Sequence, residues 1–392
     1  MCCADSDKDN CVRCVLMRWP SAVALTVKIM LGMLFIVSAL AKFFSIDSFE
    51  IYVYSFGIIS LPLSFVAARL LIGLELLLGV ALVSNRFHRG VSIVALLFLL
   101  FFVVFLSYAH LIGRTDSCHC FGELLPFNPV QSILKNAVLI LLLLAVYKYT
   151  PTDWHPRWPL VLVIYLLLLS AVVVYFLLQF RYIDLLTVSL LLVCMAAGVL
   201  MSFDVYRRWY VMLPAVIVPI ACVFVFSPPD NLMFNDTDEH FDIELFHSSV
   251  VVGDDEDSQL AYSQDSLITL HIGDGRQIVA FFSPTCGYCL LAGEKLSTIV
   301  TRNGLDQSRV LYVFPDVKKK QLIDSYYEKS HSERFRSSYL DKMHFVRITR
   351  ASIPLVLCVD DGKVVASMGY RNLNEKIVTR FLDGEEIKTE SK

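Results

Sequence analysis

The sequence predicts a polytopic α-helical membrane protein of about seven spans, followed by a soluble α/β domain, and three observations carry that prediction. Hydrophobic residues fill 56% of the 392 positions and charged residues 18%, with a mean hydropathy of +0.60, which is too apolar for a water-soluble globule. The apolar residues are gathered into runs close to the ~20 residues that a bilayer core demands. After Phe226 the composition changes abruptly, to the proline-opened acidic stretches "SPPDNLMFNDTDEH" and "GDDEDSQ", which read as linker and solvated surface. A net charge of −3 and a pI near 6.3 provide no basic face to neutralise phosphates, so nucleic acid is excluded as a partner.

In chain order, the apolar runs lie near Ala22–Phe43, Leu63–Ser84, Val91–Ile112, Ser132–Val146, Leu160–Leu178, Leu185–Ser202 and Val211–Phe226, the fourth short enough to need its flanking residues. No small-residue cleavage site follows the first run, so it is read as a helix and not as a removable signal. Lys8, Arg13, Arg18, Arg86, Arg89, Lys148, Arg157, Arg207 and Arg208 fall on one side of a seven-span arrangement, with only Arg114 and Arg181 in loops on the other. Positive loops stay cytoplasmic, which predicts an inner-membrane protein with its N-terminus in the cytoplasm and everything after Phe226 outside. The expected divisions are a cytoplasmic tail (1–20), a four-helix membrane domain (21–150), three further spans (151–228) and an extracytoplasmic linker with its soluble domain (229–392).

Inside the soluble part, "RQIVAFFSPTCGYCLLAGEKLSTIV" carries the clearest chemistry. Ile278–Phe282 is an apolar run of strand length, and the apolar spacing from Cys289 through Leu290, Leu291, Leu296 and Ile299 is helical. Cys286 therefore falls at a strand-to-helix turn and Cys289 one turn in. A thiolate at a helix N-terminus is held by unpaired backbone N–H groups and the helix dipole, which makes Cys286 the candidate nucleophile. Its partner three residues on shares the helix face and closes the disulfide. The alternative, half of a zinc site, lacks a second cysteine pair at ligand spacing, so no metal is expected. Strand "VLYVFPD", helix "KKKQLIDSYYEKS", hairpin "IPLVLCVDDGKVVASMGY" and a last helix over Asn374–Leu382 complete the pattern. From Ile243 to Lys392 the sequence resembles the thioredoxin-like family. The resemblance places Pro354 of "ASIPLVL" where that family has the cis-proline facing its cysteine pair. Cys358, inside the apolar "LVLCVD", reads as an inert core thiol.

A second thiol pair, Cys118 and Cys120 of "RTDSCHCFGELLP", lies between the third and fourth runs, on the same predicted side as Cys286. Cysteines facing an oxidising compartment form and exchange disulfides, so a relay between the two pairs is the simplest expectation. His119 between them reads as a loop histidine. Ionisable residues embedded in the first four runs accompany the pair: Lys42, Arg69, Glu75, His110 and Lys135. Such groups are costly in lipid, face bundle interiors and mark functional paths. Glu75 is expected to interact with Arg69 or to handle protons, although six positions along one helix is poor spacing for a pair. Cations gathered about Cys118 and Cys120 would stabilise a thiolate and a reduced quinone anion, which makes quinone a candidate cofactor.

"SALAKF", "RLLIGLELLLG", "CHCFG" and "LKN" together are similar to the four-helix MauE/DoxX membrane family over about Ala22–Lys148. That family includes a protein of methylamine utilisation associated with disulfide formation in an enzyme subunit. The resemblance implies extracytoplasmic thiol oxidation or protein maturation. The three added spans and the soluble domain depart from the short family members, so their client is not carried over. The expected function is a membrane-bound thiol–disulfide oxidoreductase acting on exported protein thiols or disulfides. An outward reductant relay and a non-catalytic maturation scaffold are the alternatives. Cys194 and Cys222 in the added spans read as packing residues, and "CVRC" (Cys11, Cys14), with Cys2 and Cys3, has redox or metal spacing without a second half.

Overall fold

The computed structural model describes residues 8–85, 88–112, 128–149, 158–202, 209–230, 239–252, 268–316, 320–332 and 335–385. The chain forms two compact units: Met1–Tyr52 with Val66–Pro228, and Val53–Phe65 with Pro229–Lys392.

The first unit is all helical. Its elements are α1 (Lys8–Phe44), α2 (Ile46–Tyr54), α3 (Leu61–Val83), α4 (His88–Leu111), α5 (Pro129–Tyr149), α6 (Trp158–Gln179), α7 (Leu185–Ser202) and α8 (Trp209–Phe226), with the last turn of α2 and the first turn of α3 grouped in the second unit. Among the described residues, six helices are long and apolar enough to cross a membrane, beginning with the Val23–Phe44 part of α1. The described apolar part of α8, Leu213–Phe226, is shorter. Counted from Trp209, α8 has 18 residues and reaches about 27 Å, close to the ~30 Å of a hydrocarbon core. Two elements differ from the sequence reading. The first helix extends back to Lys8, and the short α2, with Glu50 among apolar neighbours, follows it.

Within this unit α1, α3, α4 and α5 share one core, with Leu31 and Phe35 meeting Leu78, Leu82, Phe98, Leu99, Leu143 and Val146. In lipid, helices associate by close packing where small residues let backbones approach. Gly32 and Gly79 provide that approach between α1 and α3, since a Cβ on Gly32 would lie 2.8 Å from the Gly79 carbonyl oxygen. Cys194 is buried in α7.

The second unit is an α/β layer structure. It contains α9 (Ile243–Ser249), β1 (Val250–Val252), β2 (Leu270–Ile272), β3 (Arg276–Phe281), α10 (Gly287–Arg302), β4 (Val310–Pro315), α11 (Lys320–Ser330), β5 (Arg336–Leu340), α12 (Lys342–Thr349), β6 (Leu355–Asp360), β7 (Lys363–Met368) and α13 (Glu375–Leu382). The main sheet has the order β5-β4-β3-β6-β7, parallel from β3 to β5 and antiparallel from β3 through β6 to β7. A central strand followed by a helix that starts with CxxC, flanked by parallel and antiparallel strands, is a thioredoxin-like arrangement. The central strands read as unbroken apolar runs because both faces are covered. Val279, Phe281, Val313, Leu355 and Leu357 accordingly form the core with Phe246 and Phe345 from α9 and α12. The sequence reading did not resolve β5, α12 or the small parallel pair β1–β2.

The same unit includes Val53–Phe65. Arg302, at the end of α10, donates to the carbonyl oxygens of Ile59 (2.6 Å), Tyr54 (3.3 Å) and Gly57 (3.3 Å), and its guanidinium lies 4.5 Å from the Tyr54 ring centroid. The buried Lys295 ammonium sits between the rings of Phe65 and Tyr370, at 5.2 and 5.1 Å. The Leu61 N–H donates to Glu375 at 3.3 Å.

Candidate functional site

Strand β3 ends at Phe281, and the Phe282 N–H extends the ladder by donating to the Val313 carbonyl at 3.0 Å. Pro284 and Thr285 then turn the chain, and Cys286 becomes the N-cap of α10 with extended backbone angles (φ −93°, ψ 119°). Its Sγ accepts the N–H of Cys289 at 3.3 Å. A cap normally offers a hydroxyl or carboxylate oxygen to these unpaired donors, and here sulfur takes that place. Negative charge on Sγ is thus met by a backbone donor and by the positive end of the helix dipole.

Cys286 is partly exposed and Cys289 is buried, and both are free thiols. Burial pushes the Cys289 thiol well above its ordinary range, outweighing a backbone hydrogen bond from Ser283 that acts the other way. Tyr326 fixes the helix turn behind it, its hydroxyl donating to the Cys289 carbonyl at 2.7 Å, and Tyr312 donates to Gly293 at 3.1 Å. Gly293 leaves room for this, because a Cβ there would meet the Tyr326 hydroxyl at 2.3 Å. The two cysteines therefore divide the work by environment, an approachable sulfur at the cap and a protonated one behind it.

This division predicts an alkylation pattern. Iodoacetamide modifies Cys286 of the folded, reduced protein and spares Cys289, and peptide mass mapping reads the ratio. Above about pH 9 an unfolded cysteine loses its proton while the folded Cys289 keeps its own. Unfolding then releases a proton, so the Cys289 contribution to stability declines as pH rises through that range.

Pro354 immediately precedes β6, and its peptide bond with Ile353 is cis. Leu355 pairs with Phe281 in the antiparallel register, so Pro354 and the Cys286 turn lie at the same end of the sheet. Cys358 is buried in β6, where burial pushes its thiol up to about 12, consistent with an inert core position.

In the membrane unit the predicted ionisable residues separate into two clusters. Lys42 Nζ donates to both carboxylate oxygens of Glu75, at 2.7 and 3.0 Å, and to Ser38 Oγ at 2.8 Å, with all three side chains buried. The expected Glu75 interaction with Arg69 does not occur. Arg69 instead pairs with buried Glu50 and donates to the carbonyl oxygens of Ser227 (2.6 Å) and Pro228 (2.9 Å). Glu75 turns to α1 because a six-residue offset on one helix puts Arg69 on another face. Lys135 lines a cleft with Lys42 and Glu75, whereas His110 is exposed at the end of α4. Lys42 is not a head-group anchor but one side of a buried ion pair. Glu50, Ser38 and Asn136 were missed by the sequence reading. A carboxylate inside the apolar run of α2 was the available signal for Glu50. Cys118, His119, Cys120, Cys2 and Cys3 lie outside the described residues, and Cys11 and Cys14 fall on α1. No group of three or more His, Cys, Asp or Glu residues suited to a metal occurs among the described residues.

Residues 20–149 match the family described as methylamine utilisation protein MauE. This part of the chain is MauE-like. The matched segment contains α2, α3, α4, α5 and the whole apolar part of α1, together with the Lys42–Glu75 pair and the Arg69–Glu50 pair. Protein TlpB of Flavobacterium psychrophilum is 40% identical over 133 residues, which make up 31% of this chain and 35% of that protein. The chain thus spans about a third of the length of that relative. A crystal structure titled as the thioredoxin domain of a thiol-disulfide oxidoreductase from Bacteroides vulgatus matches at 19% identity and a TM-score of 0.23. That match covers 28% of this chain and 79% of the crystallised one. The chain thus joins a segment similar to the MauE family, over residues 20–149, to the CxxC-bearing α/β unit described above.

Proposed function

We propose that the protein is a membrane-bound thiol–disulfide oxidoreductase acting on exported proteins. The observation that carries this reading is the Cys286 sulfur seated as the cap of α10, accepting the Cys289 N–H, with Cys289 buried and protonated one turn on. In the oxidative direction a client thiolate attacks the Cys286–Cys289 disulfide at Cys286 and expels Cys289 as the leaving thiolate. A second client thiol then attacks the mixed disulfide, releasing an oxidised client and a reduced pair, with two electrons and two protons taken up by the domain. Cys118 and Cys120 re-oxidise the pair by the same exchange, and a lipid-soluble quinone accepts the electrons in turn. Supporting this direction are the MauE-like part, which includes the CHC sequence, and the buried ionisable residues it contains. An extracytoplasmic position for the thioredoxin-like domain follows from the Lys/Arg distribution if α8 completes a seventh crossing.

The test is disulfide trapping in the full chain. Cys289→Ser, quenched in acid and alkylated, accumulates mixed disulfides at Cys286 with client proteins, and within the chain at Cys118 or Cys120. Adding Cys118→Ala and Cys120→Ala removes the internal species and leaves the client adducts. Absence of any Cys286 adduct sinks the oxidoreductase reading.

A further inference from the structure

We infer that the cleft enclosed by α1, α3, α4 and α5 is a binding site for the ring of a lipid quinone, an inference that rests on the thiol-oxidising reading above. The cleft is open on one side, its roughly 390 Å³ of non-atom space including the open space outside it, and it lies among helices long and apolar enough to cross a membrane. Its polar lining is Ser38, Lys42, Glu75, Lys135 and Asn136, and its apolar wall includes Phe102, over whose ring Lys42 Nζ lies at 6.0 Å. Asn136 carries the argument furthest. It is 4% exposed, it lines the cleft, and among the described residues its side-chain amide has no hydrogen-bond partner. An amide that meets no partner inside an apolar bundle is costly to keep there. A ligand that enters from the bilayer and accepts a hydrogen bond from the amide removes that cost.

The donors select the ligand class. An ammonium group and an amide N–H favour carbonyl oxygens that gain negative charge on reduction, and an aromatic wall favours a flat ring. The proposed reaction needs an acceptor of two electrons. Oxidation of Cys118 and Cys120 to a disulfide releases two electrons and two protons, which convert one quinone to one quinol. The donor to a ring oxygen is the Asn136 amide, while Lys42, whose three N–H donors go to Glu75 and Ser38, adds only its positive charge nearby. A phospholipid tail offers no acceptor to Asn136 and no electron sink, so it does not meet either demand.

Photolabelling tests the site without depending on turnover. The full chain is placed in nanodiscs of quinone-free phosphatidylcholine, irradiated with a short-tailed azido-benzoquinone, and mapped by peptide mass spectrometry. Label is expected on the Ser38–Lys42 turn of α1 and the Lys135–Leu139 turn of α5, displaced by short-chain ubiquinone and not by added phospholipid. Asn136→Leu is expected to lower labelling about tenfold, the equivalent of one hydrogen bond. Leu139→Trp, which fills the cleft without altering a polar group, abolishes it. Unchanged thermal unfolding shows that either variant remains folded. Label spread over α6 and α7, label unaffected by both variants, or label displaced by phospholipid alone overturns the inference. Disulfide exchange at Cys286 and Cys289, assayed with glutathione on the same samples, separates the two readings. Exchange with no label in the cleft removes the quinone site and leaves the oxidoreductase, whereas label in the cleft without exchange leaves the site and removes the enzyme.

Discussion

Glu75→Gln lowers the stability of the membrane unit by about 3–5 kcal/mol, because it leaves Lys42 charged and unpaired in an apolar bundle. The pair is enclosed, with side chains 3% and 8% exposed, so solvent does not screen the loss. Lys42→Met produces a loss of similar size by stranding the carboxylate. The double change Lys42→Met with Glu75→Gln recovers most of it, since neither charge then remains to be desolvated. Thermal or denaturant unfolding of the purified full chain, arranged as a double-mutant cycle, measures the coupling. Additive single losses would show that the two charges are held by other partners. Glu50→Gln, which strands Arg69, is the matching test for the second cluster.

Cys286→Ser abolishes disulfide exchange with client thiols, down to the uncatalysed background. A serine hydroxyl at the cap keeps the hydrogen bond from the Cys289 N–H but neither ionises usefully nor forms a disulfide. The fold is therefore expected to survive while the chemistry does not. Cys358→Ser behaves in the opposite sense. Exchange continues, and stability falls by about 1–3 kcal/mol because a hydroxyl enters an apolar strand without a partner. Exchange assays with glutathione and unfolding curves on both variants separate the roles, and loss of exchange in Cys358→Ser would mean that the core thiol takes part.

What the sequence made legible follows from the kind of information each feature carries. The spans were readable because a bilayer imposes length and apolarity on a continuous stretch, and the extra turns of α1 and the short α2 were not, because nothing at membrane depth requires them. The strand–CxxC–helix unit was readable because Cys286 sits where apolar period gives way from strand to helix. Pairing among the buried charges was not legible. Lys42 and Glu75 are 33 positions apart, and only the close approach of α1 to α3 at Gly32 and Gly79 brings the two helices within reach. Arg69 and Glu75 looked like partners because they share a helix, whereas their real partners come from α2 and α1. Asn136 stood in plain view beside Lys135, but a lone amide becomes informative only when its neighbours prove unable to satisfy it.

The association of Val53–Phe65 with the thioredoxin-like unit imposes an order on synthesis. Tyr54 and the Arg302 that grips its carbonyl are 248 positions apart, so the segment leaves the ribosome long before its partners exist. Closing so long a loop costs only a little more than closing a short one, because the entropy grows with the logarithm of length. The waiting time is the greater burden. At about 5–20 residues per second the chain needs on the order of ten to fifty seconds to reach Arg302, during which the carbonyls of Tyr54, Gly57 and Ile59 depend on water or on a chaperone. The C-terminal unit is thus completed by a piece of chain made long before its own strands and helices.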